Sequence, residues 1–121
     1  MTETVIGERA FQFALKIIDL YKLLSEQKEY VISNQLMRCG TSIGANVEEA
    51  GAGQSKRDFI AKMAIASKEA RETNYWLRLL RDSKLCPSVD VSELIGESEQ
   101  LIKILTAIVK TSQKKLNSSK F

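Results

Sequence analysis

The chain has no histidine, one proline, two cysteines and one tryptophan in 121 residues. Without histidine there is no imidazole base to activate a Ser or Cys nucleophile. The Glu-x-x-His pairs that build dinuclear metal sites in helical bundles are excluded for the same reason. Cys39 and Cys86 lie too far apart for a CxxC redox or metal spacing, and no His completes a zinc site. Cys39 reads as a small core residue and Cys86 as a free thiol in a loop. There is no Gly-rich phosphate loop. One proline and six glycines favour helices over a turn-rich β fold. No apolar run approaches the ~20 residues that span a bilayer, and no signal-peptide pattern opens the chain. The expected compartment is therefore the cytoplasm, and no cofactor or metal is expected.

What remains is an amphipathic chain, 44% hydrophobic, of a size that suits one domain over residues 1–121 with a real core. Hydrophobic periodicity predicts four helices, at about 5–25, 33–50, 56–83 and 91–115. In the first, Phe11, Ala14, Leu15, Ile18, Tyr21 and Leu24 read as the buried stripe. In the second it is Leu36, Gly40, Ile43, Val47 and Ala50, with Ser33 as the expected N-cap. Gly40 and Gly44 stand at i, i+4, where a missing Cβ lets a neighbour approach closely. Gly51 and Gly53 end this helix, with a left-handed cap conformation expected there. Ser55-x-x-Asp58 resembles a capping box opening the third helix. Its stripe is Phe59, Met63, Ala66, Ala70, Thr73, Leu77 and Leu80. In the fourth, Leu94, Ser98, Leu101, Leu105, Ile108 and Ser112 alternate steps of four and three, flanked by Ile95, Ile102 and Val109. Residues 1–6 read as a frayed lead-in and 116–121 as disordered. Short links between helices of similar length predict an all-α, antiparallel, up-down-up-down four-helix bundle.

Two polar patterns stand out from this frame. Arg38, Ser42, Asn46 and Glu49 share one face of the second helix, and Glu69 and Glu72 lie on the third. An Arg38–Glu72 or Arg38–Glu69 pair, with Asn46 bonding a neighbour, would set helix register; the alternative is a solvated stripe whose pairs are worth under about 1 kcal/mol. Glu69-x-x-Glu72 alone could hold Mg²⁺, but a second acidic pair at matching depth is missing, so catalysis is not expected.

The second pattern is basic. Lys68, Arg71, Tyr75 and Arg78 recur at helical spacing, with Arg81 nearby. Such a stripe could hold phosphates and stack a base, or could pair with local acids and pack Tyr75 at an interface. Trp76, among apolar neighbours, reads as an interface anchor. Net charge is +3 but uneven. No acid follows Glu99, while Lys103, Lys110, Lys114, Lys115 and Lys120 do, leaving thirteen bases against fifteen acids in residues 1–99. That cationic end is either a nucleic-acid footprint or a complement to the helix dipole.

The run Ser42-Ile43-x-x-Asn46-Val47-x-Glu49, followed by Ser55, Phe59, Ala66 and Glu72, resembles the signature of the "four helix bundle protein" family. That family includes proteins encoded in intervening sequences of bacterial 23S ribosomal RNA genes; accessory proteins of diversity-generating retroelements are more distant relatives. The resemblance implies an antiparallel four-helix bundle that assembles into a ring, typically a pentamer, with no known enzymatic activity. Because it matches Asn46, Glu49 and Glu72, it favours the register-setting network. The expected function is a non-catalytic, homo-oligomeric bundle contacting RNA or DNA through basic surfaces, Lys110, Lys114 and Lys115 included. The competing expectation is an adaptor that docks another protein.

Overall fold

A computed structural model describes residues 2–118, with side chains from residue 5 onward. Four helices account for nearly all of it: α1 (Thr2–Glu26), α2 (Val31–Gly51), α3 (Lys56–Ser83) and α4 (Ser92–Ser118). Each packs on its chain neighbour, and a thinner α1–α4 seam closes the bundle. Cross-helix partners fix the directions. Gly40 meets Ile17 while Gly44 meets Ala10. Arg38 pairs with Glu72 while Glu49 pairs with Lys62. Asn74 bonds Ser98 while Ser67 meets Thr106. In the closing seam Arg9 pairs with Glu97 and Lys16 with Glu93. Numbers rise on one helix as they fall on the next, so every adjacent pair is antiparallel. Among the described residues, no helix is long and apolar enough to cross a membrane.

The core follows the expected stripes on three helices. Leu36, Gly40, Ile43, Val47 and Ala50 of α2 are buried. So are Met63, Ala66, Ala70, Thr73, Leu77 and Leu80 of α3, with Phe59 partly covered. Leu94, Ile95, Ser98, Leu101, Leu105 and Ile108 of α4 complete the set. Helix α1 differs. Its buried row is Ile6, Ala10, Phe13, Ile17, Leu20 and Leu24, while Phe11 is 59% and Leu15 44% exposed. The helix carries two apolar rows, and the one stepping by four and three in strict alternation over its whole length takes the core.

The ends also differ from expectation. Helix α1 already runs from Thr2, and α4 continues to Ser118; Met1 and residues 119–121, Lys120 among them, lie outside the described residues. Helix α2 starts at Val31, so Ser33 is not its N-cap. Ser33 is buried and donates to the Glu29 carbonyl at 2.8 Å. The Glu29 carboxylate instead accepts from Ile32 N at 3.1 Å and Ser33 N at 2.9 Å, satisfying two of the orphan donors at the helix start. Ser55 does cap α3, accepting from Asp58 N at 3.1 Å. No glycine has positive φ among the described residues; the left-handed positions are Lys28 and Lys84, just past α1 and α3. Helix α2 closes without one, on Ala52 N–H to the Glu49 carbonyl at 3.2 Å and Gly53 N–H to the Ala50 carbonyl at 3.1 Å.

Candidate functional site

The outer groove between α2 and α3 collects the polar residues singled out above, in three separate groups. Arg38 of α2 reaches across to Glu69 at 3.4 Å and more closely to Glu72, and also bonds Gln35 at 3.1 Å. Glu72 accepts from Trp76 Nε1 at 3.0 Å, one turn along α3. Asn46 does not reach another helix; it donates to Ser42 carbonyl and hydroxyl oxygens at 2.9 and 3.1 Å in its own turn. Glu49 stands apart, paired with Lys62 at 3.2 Å. None of this is core. Arg38 is 52% exposed, Glu72 34% and Glu69 18%. The Arg38–Glu69 and Arg38–Glu72 pairs expected across α2 and α3 both form, as a part-exposed clamp extended to Trp76; Asn46–Ser42 lies within α2, and Glu49–Lys62 is a separate α2–α3 pair. Ile65 and Leu79 flank the clamp and are exposed.

The buried polar contact lies one face over, between α3 and α4. Asn74 Nδ2 donates to Ser98 Oγ at 3.0 Å, and Ser98 Oγ donates to the Ile95 carbonyl at 2.7 Å. Arg78 Nε closes the chain on Asn74 Oδ1 at 2.8 Å. Sequence reasoning placed Ser98 on the apolar row but did not pair it with Asn74. The available signal was a polar residue interrupting an otherwise apolar alternation on both helices.

The basic stripe of α3 is largely engaged with its own chain. Arg71 donates to Thr106 at 3.0 Å, Arg78 lies 5.9 Å from the Tyr75 ring centre, and Arg81 forks onto Asp82. Hydrogen bonding to Arg81 holds the Asp82 carboxyl below its usual range. Tyr75 stands edge-on to Trp76, ring centres 5.5 Å apart. Lys68 is exposed and has no ion pair among the described residues. Both cysteines are free and buried, Cys86 included. Burial pushes the Cys39 thiol up, which makes it a poor nucleophile.

The cationic end is a different matter. Where α2 turns into α3, the last turns of α4 run alongside. Lys56, Lys114 and Lys115 line one connected region there, with Ser55, Thr111 and Ser112 between them. A cleft of about 390 Å³ is floored by Ala50 and Phe59 and edged by Lys56 and Lys115. A second, of about 430 Å³, shares Phe59 and Lys115 and continues along Ile104, Ala107 and Ile108 of α4. Lys110 lies on the exposed side of the same helix end. Asp58 is the one acid between Gly51 and Ser67; it lines neither cleft. Lys56 and Lys115 with Phe59 and Ala50 can meet an anion and an apolar surface together, whereas Arg71, Arg78 and Arg81 already donate to Thr106, Asn74 and Asp82.

A model of a family described as "23S rRNA-intervening sequence protein" matches residues 2–107. Among solved structures, the chain is similar to a protein of unknown function from the S23 ribosomal protein family of Bacteroides thetaiotaomicron. The two are 43% identical, the match covers 91% of this chain and 99% of that one, and the TM-score is 0.83. No curated protein matches the chain.

Proposed function

The chain belongs to the 23S rRNA-intervening sequence protein family, and from that membership we propose a non-catalytic bundle that assembles into a homo-oligomeric ring in the cytoplasm and contacts RNA or DNA. The ring size implied by the family resemblance is five. Two exposed apolar patches on different helices support assembly: Phe11 and Leu15 on α1, and Ile65, Tyr75 and Leu79 on α3. A ring needs two unlike surfaces that meet head to tail, because each copy presents one face forward and another back.

The observation that carries nucleic-acid contact is the acid-free second half of α4 meeting the start of α3. Lys56, Lys110, Lys114 and Lys115 gather at one end of the bundle, while the acids Glu93 and Glu97 are held by Lys16 and Arg9 toward the other. Five copies of a weak electrostatic site gain avidity with no new contact. The test is a salt titration of mixed-sequence RNA and DNA binding to the intact oligomer. With about six phosphates engaged, affinity falls on the order of 10³-fold between about 50 and 200 mM salt. Absence of binding at low salt would overturn the reading in favour of a protein-docking adaptor.

A further inference from the structure

Phe59 sits at the junction of the two clefts, with lysines on the rim and aliphatic side chains beneath. We propose that this junction binds single-stranded nucleic acid, one unstacked base lying against Phe59 and the adjoining phosphates on Lys56 and Lys115. This rests on the nucleic-acid reading above and assigns it a site and a strand form.

Volume, chemistry and charge argue together. Each cleft, at about 390 and 430 Å³, falls in the range of ligand-sized pockets. Phe59, Ala50, Ile104 and Ile108 give the clefts an apolar surface that a flat ring can lie against, beside the polar Ser55, Thr111 and Ser112. The apolar surface suits a base face, which every nucleotide has. The rim supplies Lys56 and Lys115 for phosphates and the hydroxyls of Ser55 and Ser112 for sugar or phosphate oxygens. A duplex keeps its base faces stacked and would leave the floor empty, so the concavity favours a single strand. The access is real because α1 reaches α4 around Arg9–Glu97 and Lys16–Glu93, further from the C-terminus of α4. Beyond those pairs, Ile104, Ala107, Thr111 and Lys115 line open space next to α3.

The occupant follows from charge complementarity. Lys56 and Lys115 line the clefts and Lys114 the adjoining space; no carboxylate lines any of the three, and the nearby acid is Asp58, against Gly53. An acidic amphipathic peptide would also find lysines and an apolar floor, and an aromatic side chain on it would meet Phe59. It is therefore the competitor to measure against.

The experiment uses the full chain in its native assembly and a labelled oligouridylate of about six nucleotides, long enough for one site of this kind. Anisotropy gives affinity and its salt slope. Phe59→Leu keeps the apolar packing and removes the ring; it is expected to weaken single-strand binding about tenfold and leave duplex binding unchanged. Lys56→Gln with Lys115→Gln is expected to lower the salt slope by about 0.7 per phosphate released. Lys22→Gln, at the far end of α1, is expected to change neither. If the wild type binds the strand but Phe59→Leu and the double lysine variant leave affinity and slope unchanged, the site is wrong while the broader reading stands. If no nucleic acid binds even at low salt, both fail. Tighter, Phe59-dependent binding of an acidic helical peptide would overturn the strand assignment in favour of a peptide groove.

Discussion

The Cα of Gly40 lies against the branched side chain of Ile17: a Cβ placed on it would stand 2.8 Å from Ile17 Cγ1 and 2.9 Å from Cγ2. The same construction at Gly44 meets Ala10 at 3.6 Å, an ordinary contact. The two glycines one turn apart therefore do different things. Gly40 permits the α1–α2 approach, and Gly44 merely tolerates it.

Gly40→Ala is expected to destabilise, because overpacking of about 1–3 kcal/mol against Ile17 outweighs the helix-propensity gain of about 1 kcal/mol. Gly44→Ala keeps the gain without the clash and is expected to stabilise by up to about 1 kcal/mol. Urea unfolding of both variants measures the difference. Equal effects would mean that Ile17 yields freely and the close approach has no role.

Which helix faces were legible in the sequence follows from this packing. On α2, α3 and α4 one apolar row dominates, and period alone located the core. On α1 the rows Ile6–Ala10–Phe13–Ile17–Leu20–Leu24 and Phe11–Leu15–Ile18 both have helical spacing. Phe11 and Leu15 looked more hydrophobic than Ala10, yet small Ala10 is what lets Gly44 come close. Row length was the local signal, since only the first row runs the whole helix; the partner helix at Ala10 completes the choice. The same limit applied to the polar face of α2. Spacing put Arg38, Ser42, Asn46 and Glu49 on one side, but only the position of α3 divides them into a clamp, a pair within α2 and a second α2–α3 ion pair.

The clamp makes Glu72 and Glu49 unequal. Glu72 accepts from Trp76 Nε1 as well as Arg38, while Glu49 meets only Lys62 at the surface. Glu72→Ala is expected to cost about 1–2 kcal/mol, since a half-buried indole N–H loses its acceptor. Glu49→Ala is expected to stay within about 0.5 kcal/mol. Trp76 fluorescence during denaturant unfolding reports both, and a shifted native emission maximum in Glu72→Ala alone would tie the loss to the indole.

The Asn74–Ser98 bond is the buried polar link between α3 and α4. Ser98→Ala removes the acceptor and leaves the Asn74 amide with an unmet donor, at a cost of about 1–3 kcal/mol. Asn74→Leu on its own orphans Arg78 Nε from its acceptor and frees the Ser98 hydroxyl to its bond with Ile95. The double variant is expected to cost less than the two singles summed, with a coupling of about 0.5–3 kcal/mol. Strict additivity in a double-mutant cycle would remove the bond from any account of α3–α4 register.

The exposed row on α1 is the surface the proposed assembly would use. Phe11 and Leu15 sit on the side of α1 away from Ile6, Phe13 and Ile17, in a chain whose other helices already supply a closed core. Large apolar side chains grouped on a helix surface mark contact sites more often than single exposed residues do. A head-to-tail ring pairs such a patch with an unlike one on the other side of each copy; that counterpart is expected on α3, at Ile65, Tyr75 and Leu79. Phe11→Glu should then leave the 13.6 kDa chain folded but dissociate it, because a carboxylate would be desolvated against an apolar partner. Leu79→Glu, on the opposing patch, should do the same. Mass by light scattering, with far-ultraviolet circular dichroism as the folding control, checks both. If either variant keeps the wild-type mass, that patch does not lie in the subunit contact.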